Sequence, residues 1–103
     1  MTIKQKFDRM KAAMEAAGYP VVTTKGRGKA AEFWPRAVIA YHLYGGRWYN
    51  RRVGDVLNRD HSSVTWMRQR VKDALDMPTM YDDVITMIQN FRDKYYELFG
   101  QDI

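Results

Sequence analysis

Apolar positions along this chain fall at helical intervals. Ile3, Phe7, Met10, Met14 and Ala17 recur at steps of four, three, four and three, which makes one helix face that Gly18 stops. Phe33 to Tyr44 forms a second helical stretch, with Pro35 placed in its first turn, where a missing N–H is tolerated. The run "GGRWYN" (45–50) breaks it. Arg51 to Leu57 is a short helix with Val53, Val56 and Leu57 on its apolar side, and Asn58-Arg59 is a tight turn. Asp60 to Met77 is a long helix that ends before Pro78. Thr79 opens a last helix to Phe99, with Val84, Met87, Ile88, Phe91, Tyr95 and Leu98 facing inward and Gly100 after its end. "YPVVTT" (19–24) is at most extended, and no alternating strand pattern of useful length occurs.

These patterns predict an all-α fold, a compact bundle of about five helices within one domain spanning 1–103. An amphipathic N-terminal helix covers 1–18, a polar, basic, Gly-punctuated arm or loop covers 23–32, and the C-terminal helix covers 79–99. Between them, 33–77 carries a short helix, a tight turn and a longer helix, the outline of a helix-turn-helix.

Composition narrows the possibilities. An apolar share of 46% supports a core without staples, and the absence of cysteine removes disulfides and thiolate zinc sites and fits a reducing compartment. No apolar run approaches the ~20 residues of a membrane span, and the N-terminus lacks the apolar centre of a secretory signal. Charge is uneven. Residues 1–52 carry eleven Lys/Arg against three Asp/Glu, or +8, whereas 53–103 carry six against nine, or −3. A basic block of this kind favours polyanions such as nucleic acid or an acidic membrane surface.

The cluster Arg59-Asp60-His61-Ser62-Ser63 then asks for an explanation. Turned at about 100° per residue, the helix from Asp60 puts Val64, Met67, Val71, Ala74 and Leu75 on one side. His61, Ser62, Thr65, Gln69 and Lys72 lie opposite, a hydrogen-bonding face without an acid. Asp60 is a natural N-cap for the free amides of the first turn, and its second oxygen leaves room for another contact. His61 has no neighbour at metal-ligand spacing, and His42 sits on a different helix, so no metal and no cofactor is expected. Ser62 or Ser63 beside His61 is no hydrolase signature: there is no G-x-S-x-G and no third triad group, and no enzymatic activity is expected. The remaining reading is direct readout, in which a helix N-terminus enters the major groove with a carboxylate, an imidazole and hydroxyls against base edges.

"RVGDVLNRDHSSVTWMRQRV" (52–71) resembles the DNA-binding C-terminal domain of the bacterial replication initiator DnaA. That family carries an Ile-Gly-x-x-Phe turn followed by Gly-Arg-Asp-His-Thr/Ser-Thr/Ser-Val. Val53, Gly54 and Leu57 match the first part, and Arg59 to Val64 the second. "PRAVIAYHLY" (35–44) is similar to the family's Pro-Arg-x-Ile-Ala-x-Tyr-Leu helix, and the likeness covers roughly 25–77. The resemblance implies a Trp-repressor-like helix-turn-helix that binds double-stranded DNA in replication or its regulation, in a bacterial or phage setting. It implies base reading by Asp60, His61 and Ser62, phosphate contact by Ser63 and Arg36, and minor-groove entry by an arm near Arg27 and Lys29. Thr65 stands at the edge of the reading set, and Arg47, Arg51, Arg52, Arg68 and Lys72 are further candidates for phosphate.

Departures from the family are specific. A single Asn58 stands where two glycines are usual, and Ala37 replaces a residue that is often polar. The ATPase module is missing, and "GRGK" (26–29) is no phosphate loop, since Thr23 and Ala30 occupy the positions a Walker motif gives to Gly and Ser/Thr. The resemblance places the protein in the cytoplasm, on the nucleoid. An alternative is a protein-interaction module of a replication or mobile-element system that keeps the fold without DNA readout. The N-terminal helix is expected to pack on the domain, with a protein partner or self-association through it as the alternative, because an amphipathic face must be buried against something. Trp48 and Tyr49 are expected to pack on the core, and Trp66 to cover a neighbouring helix.

Overall fold

The computed structural model describes residues 1–24, 30–46 and 48–103. Five helices account for most of them, and no strand occurs among the described residues. They are α1 (Ile3–Ala16), α2 (Ala30–Gly46), α3 (Asn50–Leu57), α4 (His61–Asp76) and α5 (Asp82–Phe99). The expected all-α bundle is what the chain forms.

Each boundary has a local cause. Thr2 begins α1 with a capping box: its hydroxyl accepts from the Gln5 amide at 3.1 Å, and the Gln5 side chain accepts from the Thr2 amide at 2.8 Å. α2 starts earlier than the sequence reading placed it, because Ala30, Ala31 and Glu32 are good helix formers. Pro35 therefore sits in the second turn rather than the first, where it withholds one helical hydrogen bond. α5 starts later, at Asp82, because Pro78 to Tyr81 form turns, and its first turn carries Asp82 and Asp83, whose charges suit a helix N-terminus. Gly100, at φ 66°, ends it.

The core is a single cluster fed by all five helices. α2 runs through the middle and touches the other four, which is why Ala37, Val38, Ile39 and Ala40 are buried in succession rather than at helical intervals. α1 lies on α5 and α2, with Phe7, Met10 and Met14 inward, while Phe91 and Tyr95 of α5 are fully buried. Burial of one such side chain contributes about 1.5–3 kcal/mol. The Tyr95 hydroxyl, deep in this layer, accepts a hydrogen bond from Lys6 Nζ at 2.9 Å. The apolar face of α1, with Ile3, Phe7, Met10, Ala13 and Met14, is spent inside the molecule. Leu75 and Leu98, expected in the core, are exposed, as is Tyr49; Trp48 is half-buried against the core as expected.

Candidate nucleic-acid interface

The α3–α4 junction is built for tight approach. Val53 and Leu57 anchor α3 in the core, and Gly54 lies between them, fully enclosed. A Cβ at Gly54 would collide with the carbonyl oxygen of Arg59, so only glycine lets the turn fold back this closely. Asn58 takes the left-handed conformation (φ 58°, ψ 45°), which asparagine tolerates better than most residues. Asn58 and Arg59 both direct their amides at the Gly54 carbonyl, the latter at 2.9 Å. The single Asn58 thus does the conformational work of a glycine and closes the turn.

Asp60 then caps α4. Its Oδ1 accepts from the Ser63 amide at 2.8 Å. That bond holds the carboxyl below the usual aspartate range; desolvation opposes it, and the Ser63 hydroxyl, the Ser62 amide and the neighbouring His61 add to it. Asp60, His61, Ser62 and Thr65 are all exposed, and Ser63 is half-buried. α4 packs chiefly on α2 and α3 and not on α1. The opposite side of α4, with Val64, Met67, Val71 and Ala74, is the buried one.

Beside this turn lies an open cleft of about 560 Å³ between α2 and α4, lined by Phe33, Arg36, Arg59, Ser62, Ser63 and Trp66 among others. Two guanidinium groups enter it from the protein side. Arg36 is only 6% exposed, and donates from Nη1 to the Val22 carbonyl at 2.9 Å. Its Nε is buried without a partner, and burial, reinforced by the charge of Arg59 and opposed by Glu32, lowers its pKa. Arg59 donates from Nη1 to the carbonyls of Thr24 and Asn58 at 2.9 and 2.8 Å. Arg36, expected at a phosphate, is therefore an interior residue at the back of the cleft, holding the segment before residue 25. Arg59, which the sequence places in the turn and in the polar cluster, holds the same segment.

The other expected contacts divide. Arg51, Arg52 and Lys72 are exposed. Arg68 is half-buried, with its guanidinium 3.1 Å over the Tyr44 ring and its Nη1 on Asn50 Oδ1 at 2.9 Å. Thr65 already accepts from Asn50 Nδ2 at 2.8 Å and donates to the His61 carbonyl at 3.0 Å. Gln69 donates to Asp73 at 3.0 Å, so an acid borders the face further along the helix. Asn50 was read as part of a helix-breaking loop, and nothing in its neighbours marks a side chain that bridges two helices. Arg27, Lys29 and Arg47 lie outside the described residues.

Trp66, 46% exposed, covers α2 as expected, its ring edge-on to Phe33 at 5.8 Å. Arg70 sits 5.5–5.7 Å from the rings of Trp34, Trp66 and Tyr81. Among the described residues no group of three His, Asp or Glu side chains could hold a metal ion, and no helix is long and apolar enough to cross a membrane. No protein-family model matches this chain, and neither the curated proteins nor the solved structures include a match.

Proposed function

We propose that this protein binds double-stranded DNA with sequence preference, using α3, the turn and α4 as a DnaA-like helix-turn-helix, in replication or its regulation. The observation that carries the reading is the mouth of α4. Asp60, His61 and Ser62 are exposed there, the helix end is capped, and Arg51 and Arg52 lie on the adjoining helix. In this reading Asp60 accepts from a cytosine amino group with the oxygen its cap leaves free, His61 and Ser62 meet neighbouring base edges, and Ser63, Arg51, Arg52 and Lys72 fix register on phosphates. The basic sequence around Arg27 and Lys29 is assigned to the minor groove, where arginine is drawn to narrow, negative stretches.

Selection from a random duplex library, followed by anisotropy titration at several salt concentrations, tests the reading. The expected result is an enriched site whose affinity falls with salt at a log–log slope near −0.9 per phosphate contact. His61→Ala should reduce affinity for that site by about 1–3 kcal/mol and leave non-specific binding alone. Equal binding of wild type and variant to every duplex refutes the base-reading role.

A second reading has its own observation. Trp66, Met77 and Met80, on α4 and the turn that follows, are 46%, 42% and 75% exposed, large apolar side chains left at the surface of a basic protein. It favours a protein-interaction module in a replication or mobile-element system. Absence of duplex binding even at low salt would move the conclusion there.

A further inference from the structure

Four residues drawn from three helices meet on the flank of α4 in a directional chain. Arg68 donates to Asn50 Oδ1, Asn50 donates to Thr65 Oγ1, and Thr65 donates to the carbonyl of His61, at 2.9, 2.8 and 3.0 Å. The far end is fixed by Tyr44 of α2, whose ring lies beneath the Arg68 guanidinium at 3.1 Å. The chain therefore leaves α4 at Arg68, where Tyr44 of α2 braces the guanidinium, crosses the first residue of α3 and returns to the backbone of the first residue of α4. Bonds aligned head to tail polarise one another. The Arg68 guanidinium is thus held between Asn50 and the Tyr44 ring, while its Nε is buried without a partner.

The side chain at position 50 is chemically specified. A carboxamide both accepts from a guanidinium and donates to a hydroxyl. A carboxylate accepts only, and a methyl does neither. Asn50 is tied to the peptide that carries His61 through Thr65, so it bears on how α4 is rotated rather than on what it displays.

We propose that Asn50 is a positioning residue for sequence discrimination. Through Thr65 and Arg68 it fixes the rotation of α4 about its axis, so that His61 and Ser62 address a groove in one setting. This rests on the DNA reading above. In this arrangement Arg68 acts through Asn50 and Tyr44 instead of on a phosphate, and Thr65 acts through the His61 backbone instead of on a base.

The test uses the full chain, the library-selected duplex and a scrambled duplex of the same composition. Asn50→Ala should lower the affinity ratio between the two by roughly ten-fold, with scrambled-duplex affinity and the salt slope unchanged. Thr65→Val should match it and Thr65→Ser should restore the wild-type ratio. Asn50→Asp, which keeps the Arg68 bond alone, should fall between. Arg68→Ala should lower the ratio and leave the slope alone. A ratio unchanged in Asn50→Ala, with only a lower melting temperature, reduces the network to scaffold and overturns the proposal. So does a salt slope that drops by about 0.9 in Arg68→Ala, the mark of a lost phosphate contact. If wild type does not discriminate between duplexes, the DNA reading fails, and amide exchange in the free protein still tests the clamp. Exchange at residues 61–65 should quicken several-fold in Asn50→Ala, and unchanged exchange overturns it.

Discussion

The first turn of α4 and the two turns that follow are made of similar residues and use them in opposite ways. At the mouth, Asp60, His61 and Ser62 are exposed, and Asp60 caps its own helix. One turn on, Thr65, Arg68 and Gln69 are each bonded within the protein. Hydrogen-bonding capacity in a sequence is thus no measure of capacity left for a ligand. A helical wheel groups Thr65 with His61, yet the first is committed to Asn50 and the backbone while the second faces outward.

If the mouth of α4 serves a ligand and the rest serves the fold, substitutions should separate the two. The largest loss belongs to the scaffold. Leu57→Ala, which empties a fully buried site at the end of α3, should cost about 2–5 kcal/mol of unfolding free energy in urea. Gly54→Ala pushes a methyl into the Arg59 carbonyl and should cost about 1–3 kcal/mol by the same measurement. His61→Ala should do the reverse: its effect of about 1–3 kcal/mol is confined to duplex discrimination, and the urea midpoint stays put. A large stability change in His61→Ala would erase the contrast between the two regions.

Acid should bear on the scaffold through His42. Its ring is packed against Phe91 at 5.4 Å, and its Nδ1–H donates to the Val38 carbonyl at 2.8 Å. Burial lowers its pKa below 6.5, with Arg92 and Lys6 pushing the same way and the Val38 bond opposing. The unfolded chain therefore takes up this proton first, and stability should decline as pH falls through about 6.5 until the folded-state value is passed. His42→Gln should flatten that part of a stability–pH curve. The smallest effect is expected at Lys72. Lys72→Ala should leave stability within about 0.5 kcal/mol, while the salt slope of duplex binding becomes shallower by about 0.9.

Helical periodicity carried most of the fold, because each helix buries one face and apolar spacing records which. It said less about where a helix ends and how far its neighbours extend along it. Leu75 and Leu98 lie on inward-facing arcs but in last turns, and are 39% and 49% exposed. Pro35 suggested a later start for α2 because proline prefers first turns, whereas the helix-forming residues before it prevailed. At the site, Asp60 as a cap was legible from residue type alone. Arg36 was not, since a basic residue reads as surface until a backbone carbonyl is found to hold it. Asn50 and Arg59 act on groups 15 and 35 residues away in sequence, at Thr65 and Thr24, and local patterns carry no trace of such pairings.

The two arginine bonds to Val22 and Thr24 have a mechanical consequence. Arg59 belongs to the turn that launches α4, and Arg36 to the central helix, so the point where the chain leaves residue 24 is riveted to the same frame that aims His61. Anything gripped from both places at once must fit a span dictated by the protein, and a duplex whose grooves do not match that span would have to bend to satisfy it.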